Sequence, residues 1–215
     1  KTIIRSAGLK TPPYILIKST NDIKRPKLRL PVFMKPVAEG TGKGVDETSR
    51  VETMKQFNAT AKKLLVKYRQ PVLVEEYLPG REFTVAVLGT GKKARALGTM
   101  EIKVKPDAPA KDYSFQVKEL CEQFVDYLPM ERGNLRKKVE NLAVQAHVLL
   151  ECRDVSRVDI RLDANNEPNF LEINPLPGLH PTHSDLPMIA TQEGLQYTSL
   201  IEKLLTSACE RYGLT

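Results

Sequence analysis

Two short alternating segments joined by a turn constrain this chain more than any other part of it. Arg157-Val158-Asp159-Ile160-Arg161-Leu162 alternates polar with apolar residues, residues 163–167 have the composition of a turn, and Asn169-Phe170-Leu171-Glu172-Ile173-Asn174 returns. That alternation predicts a hairpin. Its turn length puts Asp159 opposite Glu172 or one position diagonal to it, and directly opposed residues have Cβ atoms about 5 Å apart. Two carboxylates that close repel, so one keeps a proton unless a cation intervenes. Val158, Ile160 and Leu162 take the other face, which is expected to leave Asp159 outside the sheet's dry core. Asp, Glu and an Asn carboxamide are hard oxygen ligands, suited to Mg²⁺ held jointly by protein and phosphates. Arg157 alternates onto the same face, where it can neutralise a transferring phosphoryl group. On spacing alone, a surface hairpin with charged outer positions fits equally well.

Two further stretches carry candidate chemistry. Residues 32–37 read as a strand containing Lys35, and Glu39-Gly40-Thr41-Gly42-Lys43-Gly44 follows at once. Backbone N–H groups of such a loop can close around phosphate oxygens, but no G-K-[ST] opens a helix at P-loop spacing. A flexible connection accounts for the loop as well. Residues 72–78 read as a strand leading into Glu75-Glu76-Tyr77-Leu78-Pro79-Gly80-Arg81-Glu82. An extended backbone there can read an adenine edge while acidic side chains take the amine and ribose hydroxyls; a hairpin connection with solvated Glu is the plainer account. His147 reads as a packed or partly exposed structural histidine, and Cys152 as a buried structural residue. His180 and His183 lack a third partner at ligand spacing, and Ser184 lacks the strand–Ser–helix elbow of a nucleophile.

The remainder reads as mixed strands and helices with hairpins, an α+β chain. Residues 1–9 end a helix before Pro12-Pro13, and residues 14–17 form a strand. Ser49-Arg50-Val51-Glu52 has capping-box form and is expected to open a helix through Val51, Met54, Ala61 and Leu65 to about residue 68. Residues 82–87 and 94–104 pair, residues 105–130 are polar and irregular, Asn134 is expected to cap a helix, and two helices close the chain. The opening, in mid-helix and without Met, fits part of a longer protein.

Composition removes several classes. The 215 residues are 41% hydrophobic and 27% charged, which argues against disorder, and no apolar stretch is long enough to span a membrane. Nothing reads as an export leader, and the three Cys, with no CxxC, fit a reducing cytoplasm. Lys and Arg exceed Asp and Glu by 33 − 26 = 7, but the basic runs at residues 24–29, 62–63 and 136–138 read as solvated surface, and no aromatic stacking module supports nucleic-acid binding.

Taken in order, these segments resemble the D-alanine–D-alanine ligase family of ATP-grasp ligases over nearly the whole chain. The likeness rests on Lys35 with the Glu39–Gly44 loop, on Glu75 through Val85, on Arg157-Val158-Asp159, and on Leu171-Glu172-Ile173-Asn174-Pro175-Leu176-Pro177-Gly178 followed by His183-Ser184. The resemblance implies an ATP-grasp fold, with a smaller subdomain at 1–78, a larger one at 79–215, and ATP in the cleft between. It implies that Lys35 contacts the phosphates and Glu39, Gly40, Thr41 and Gly42 close over them. Glu75, Glu76, Tyr77 and Leu78 would frame the adenine and Glu82 would hold the ribose. Lys118 would reach the phosphates, and Asp159, Glu172 and Asn174 would bind two Mg²⁺, with Mn²⁺ able to substitute. Arg157 and the Gly178 N–H would stabilise acyl transfer, and Ser184 would bind the second amino acid's carboxylate. The implied chemistry joins two D-alanines through an acyl phosphate for cell-wall precursors, with small-molecule amino acids as partners, no nucleic acid or membrane, and a homodimer left open. An ATP-grasp ligase with a different amino or hydroxy acceptor, or a non-catalytic ATP-binding module, is the alternative. The family's N-terminal domain would precede Lys1. Thr41 stands where the family usually has Ser, and Glu119 where the D-alanine-specific enzymes usually have Tyr.

Overall fold

The computed structural model describes residues 1–40, 42–108 and 121–214. They form two units, one of residues 12–78 with the described part of 103–126, the other of residues 1–11, 79–102 and the described part of 127–215. They differ from the sequence ranges 1–78 and 79–215 at residues 1–11 and the described part of 103–126; the first helix, α1 (Thr2–Ser6), joins the second unit because it buries Ile4 in that unit's core.

In the first unit, β1 (Tyr14–Ile17), β2 (Val32–Pro36), β3 (Arg50–Val51) and β4 (Val72–Glu76) make an antiparallel sheet in the order β1-β4-β2-β3. Strand β2 alternates, with Val32, Met34 and Pro36 buried and Phe33 and Lys35 on the other face. Helix α2 (Met54–Tyr68) buries Phe57, Thr60, Ala61 and Leu64, positions spaced at three and four residues that form one stripe. Phe57, Ala61 and Leu64 close a core with Ile17, Val32, Met34, Val51, Val72 and Val74. Burying each large apolar side chain there contributes about 1.5–3 kcal/mol.

The helix does not start where the Ser49–Glu52 pattern placed it. A second box lies four residues on: Thr53 Oγ1 accepts the Gln56 N–H at 3.3 Å, and Gln56 Oε1 accepts the Thr53 N–H at 3.0 Å. The later frame wins because β-branched Val51 is wholly buried as a strand residue opposite Val32, and Ser49 Oγ accepts the Asp46 N–H instead of capping.

The second sheet is also antiparallel, in the order β7-β6-β5-β8-β9, from β5 (Glu82–Leu88), β6 (Arg95–Val104), β7 (Val125–Pro129), β8 (Val155–Leu162) and β9 (Pro168–Asn174). Strand β7 and the short helix α3 (Cys121–Phe124) occupy part of the stretch expected to be irregular. Helix α4 (Asn134–Leu149) covers one face, where Val139, Leu142, Ala143 and Ala146 meet Phe83, Val85, Val87, Val158, Ile160 and Leu162. Its N-cap is Gly133, with no side-chain cap, so Asn134 is the first helical residue rather than the cap. On the opposite face, α5 (Asp185–Gln192) and α6 (Tyr197–Tyr212) cover Ala86, Leu88 and Met100 with Leu186, Ile189, Ala190 and Leu200. Both faces of β5 are therefore covered, and its burial is almost continuous.

Arg136 belongs to a basic run expected to be solvated, yet its side chain is only 12% exposed. It donates to Glu140 at 2.7 Å, Glu193 at 2.6 Å and the Met130 carbonyl at 2.9 Å. Among the described residues no helix is long and apolar enough to cross a membrane.

Candidate active site

The apolar covering of the second sheet stops part-way along β5 and β8, and polar side chains take over that face. The register puts Asp159 directly opposite Glu172 on one side and Thr84 on the other, and Arg157 opposite Asn174. Because side chains on one strand face recur every second residue, Glu82, Thr84, Arg157, Asp159, Arg161, Glu172 and Asn174 share a face. A β-bulge follows immediately: Asp159 pairs with Glu172 but Ile160 with Phe170, leaving Leu171 as the extra residue. Bulges of this kind re-aim side chains. Here the bulge lets both Glu172 and Phe170 be used, one on the polar face and one in the core.

Arg157 and Asp159 form a two-pronged pair, Nε to Oδ1 at 3.1 Å and Nη2 to Oδ2 at 2.9 Å, while Thr84 Oγ1 donates to Asp159 Oδ1 at 2.9 Å. Arg157 Nη1 donates to Asp185 at 2.9 Å, and Arg161 Nη1 reaches Glu82 at 3.3 Å. The charge of Asp159 holds the Arg157 guanidinium well above the ordinary arginine range, outweighing burial, with Asp185 and Glu172 acting in the same direction. Asp159 itself is 9% exposed. It lies inside rather than at the wet edge expected from alternation, because the Arg157 and Thr84 partners satisfy it there. Glu172 is exposed and Asn174 half-buried. Asn174 Oδ1 also accepts the Leu176 N–H at 3.0 Å, which shapes the turn into Pro177-Gly178. A Cβ on Gly178 would lie 2.6 Å from Ser184 Oγ, and that hydroxyl accepts the His180 N–H at 3.0 Å, so the 178–184 loop closes on Ser184.

The first unit holds the other candidates. Lys35 lies on β2 opposite Leu73 of β4. Beyond it, Glu39 accepts from Gln70 at 2.8 Å, and the Gly40 and Gly42 carbonyls accept the Lys43 and Val45 N–H groups at 3.0 Å, two successive turns. Gly42 and Gly44 take positive φ, and a Cβ on Gly44 would strike the Pro36 ring. At the end of β4, Glu75 is 4% exposed and Leu78 is buried. Glu76 accepts the Arg29 N–H at 2.9 Å, and the Arg50 guanidinium sits 4.4 Å from the Tyr77 ring centre. The Glu76 and Tyr77 N–H groups donate to the Pro13 and Pro31 carbonyls, so these two donors are already used within the fold. Thr41, Lys118 and Glu119 lie outside the described residues.

Thr84, Arg161 and Asp185 are the site-face residues that the sequence reading passed over. The first two follow from extending the alternation by two positions along β5 and β8; Asp185 arrives from a distant helix and leaves no such signal. Among the described residues no three His, Cys, Asp or Glu cluster as a metal group, so a cation here would rest on two carboxylates and an amide.

His147 lies elsewhere, fully buried, with Nε2 3.0 Å from the Gly89 carbonyl and Nδ1 2.7 Å from Ser156 Oγ. A carbonyl only accepts, so Nε2 carries the proton and Nδ1 accepts from Ser156. Burial lowers its pKa from 6.5, against the opposing pull of Gly89 and Asp154. The unfolded chain therefore binds the extra proton more readily, and His147's contribution, complete above about 6.5, is lost as pH falls toward the lower folded value. Urea midpoints at pH 7.5 and 5.5 should drop more for the wild type than for His147→Gln; equal drops would refute this.

Residues 3–206 match the family described as "D-ala D-ala ligase C-terminus". The chain belongs to that family. It is 35% identical over 204 residues to a D-alanine–D-alanine ligase of Bordetella avium, covering 94% of this chain and 62% of that protein. An uncharacterized protein of Sinorhizobium fredii is 33% identical, with 99% of this chain and 62% of the relative covered. The chain thus spans about three-fifths of the length of such relatives. A D-alanine–D-alanine ligase from Bacillus anthracis, crystallised with ATP, superposes with a TM-score of 0.74 at 21% identity, over 97% of this chain and 64% of that one. One from Coxiella burnetii gives 0.74 at 22%, over 99% and 56%. At that identity the shared feature is the fold, and the two sheet-bearing units are those of an ATP-grasp fold.

Proposed function

We propose that this chain provides the nucleotide- and cation-handling part of an ATP-dependent carboxylate–amine ligase that joins two D-alanines through an acyl phosphate. The observation that carries the reading is the rung on which Asp159 faces Glu172, with Asn174 and Arg157 on the next rung of the same face. Three carboxylates (Asp159, Glu172, Asp185) surround Arg157 there, and such an excess of negative charge favours added cations. The donors are all hard oxygens, which fits Mg²⁺ better than a softer metal. Asp159, Glu172 and Asn174 would hold the ions, and bound Mg²⁺ supplies charge neutralisation at phosphate oxygens.

The chain's own groups do the rest by position. Arg157 offers a fixed positive charge beside the place where phosphoryl charge builds. Ser184, held by the His180 N–H and packed on Gly178, would receive the acceptor's carboxylate. Lys35 and the Glu39–Gly42 loop would meet the phosphates, Glu75 through Leu78 the base, and Glu82 the ribose. None of these groups acts as a covalent nucleophile, in keeping with catalysis by positioning. The full-length gene product should release phosphate from ATP only when Mg²⁺ and an amino acid are both present, with D-alanine the best of a panel of D-amino acids and hydroxy acids. Release that ignores the amino acid would overturn the ligase reading; a better acceptor than D-alanine would overturn the substrate alone.

A further inference from the structure

We propose that Asp185 is a positioning residue, which aims the Arg157 guanidinium across the Asp159–Glu172 rung and ties it to the loop that ends in Ser184. Three nitrogens of Arg157 meet two carboxylates from different elements: Nε and Nη2 meet Asp159 on β8 itself, and Nη1 meets Asp185, the first residue of α5. A guanidinium paired with one carboxylate can swing with it as a unit. A second anchor from another element fixes its plane, since the fork geometry allows few orientations that satisfy both.

Burial makes the second anchor count. The Arg157 and Asp185 side chains are 18% and 16% exposed, so water screens the pair little. Where a divalent ion shares Asp159, that carboxylate's hold on Arg157 weakens, and Asp185 is the anchor that stays. The connection also runs forward: Ser184 immediately precedes Asp185, accepts from the His180 N–H, and touches the space beside Gly178. A guanidinium that loses Asp185 therefore shifts relative to the loop proposed to seat the acceptor.

The geometric part stands without the ligase reading, whereas its kinetic consequence rests on that reading. Asp185→Asn in the full-length gene product should lower kcat by about ten- to a hundredfold, the scale of a small misplacement of a charged group, with KM for the amino acid changed by no more than about threefold. In an Arg157→Lys background the same substitution should cost far less, because it acts through the guanidinium. Equal losses in both backgrounds, or an unchanged kcat, would overturn the proposal. Side-chain ¹⁵N NMR supplies a readout independent of turnover. The Arg157 Nη signals should be resolved in the wild type and averaged in Asp185→Asn, with Asp185→Ser as the substitute if the Asn variant does not fold. Resolved signals in the variant would refute the positioning role. A wild type that shows no amino-acid-dependent release would instead refute the ligase reading and leave the NMR result to decide this one.

Discussion

Asp159→Asn should lower amino-acid-dependent phosphate release by about a thousandfold or more, equivalent to roughly 4 kcal/mol of transition-state stabilisation. The substitution preserves shape and removes one charge from a side chain on the polar face that both Arg157 and Thr84 hold. Asp159 is 9% exposed, pairs twice with Arg157, accepts from Thr84 and faces Glu172 across the rung. An Asn amide there would turn N–H donors toward the Arg157 Nη2 donor, so the new residue both repels its neighbour and offers a cation one charge less. Breaking a buried ion pair costs about 3–5 kcal/mol when the remaining charge is stranded. Here Arg157 keeps Asp185, so the loss of stability should fall below that range and the variant should remain folded. Circular dichroism and urea denaturation separate the two effects. A folded Asp159→Asn with near-normal release would remove this residue from the machinery.

Phe83→Ala should cost about 3–5 kcal/mol of stability, the range for removing a buried aromatic side chain. Phe83 is fully buried on central strand β5, in the core that α4 closes, with the Arg81 guanidinium 5.0 Å from its ring centre. Neighbouring Val85, Val158 and Ile160 are held by strand pairing on both sides, so the cavity cannot readily collapse. Leu176→Ala is the matching control, since Leu176 is 86% exposed and such surface changes usually stay within about 0.5 kcal/mol. A loss under about 1 kcal/mol for Phe83→Ala would mean the core is not organised around β5.

The late hairpin was legible because its signal is local: two alternating runs and a short turn set the register that brings Asp159 to Glu172. What local pattern misses is which of two similar signals prevails, or what arrives from far along the chain. Ser49-x-x-Glu52 and Thr53-x-x-Gln56 read alike, and the choice was made by Val51 entering the first core. Asp159 looked wet by alternation, yet Arg157 and Thr84 take it inside. Arg136 looked like solvated charge until Glu193 arrived from the end of α5, 57 positions away. Asp185 is the same case at the site, joined to Arg157 across 28 positions with no periodicity linking them. The family resemblance proposed candidate residues one by one, but it carried no information on these supporting contacts.

The most direct test of the cation rung is Mn²⁺ binding followed by electron paramagnetic resonance, with ATP present and no amino acid, in the wild type and in Glu172→Gln. The wild type should hold the ion in the presence of ATP, and the variant should need at least about ten times more Mn²⁺, a difference of roughly 1.4 kcal/mol. The same Mn²⁺ affinity in both proteins would contradict the proposed use of the Asp159–Glu172 pair.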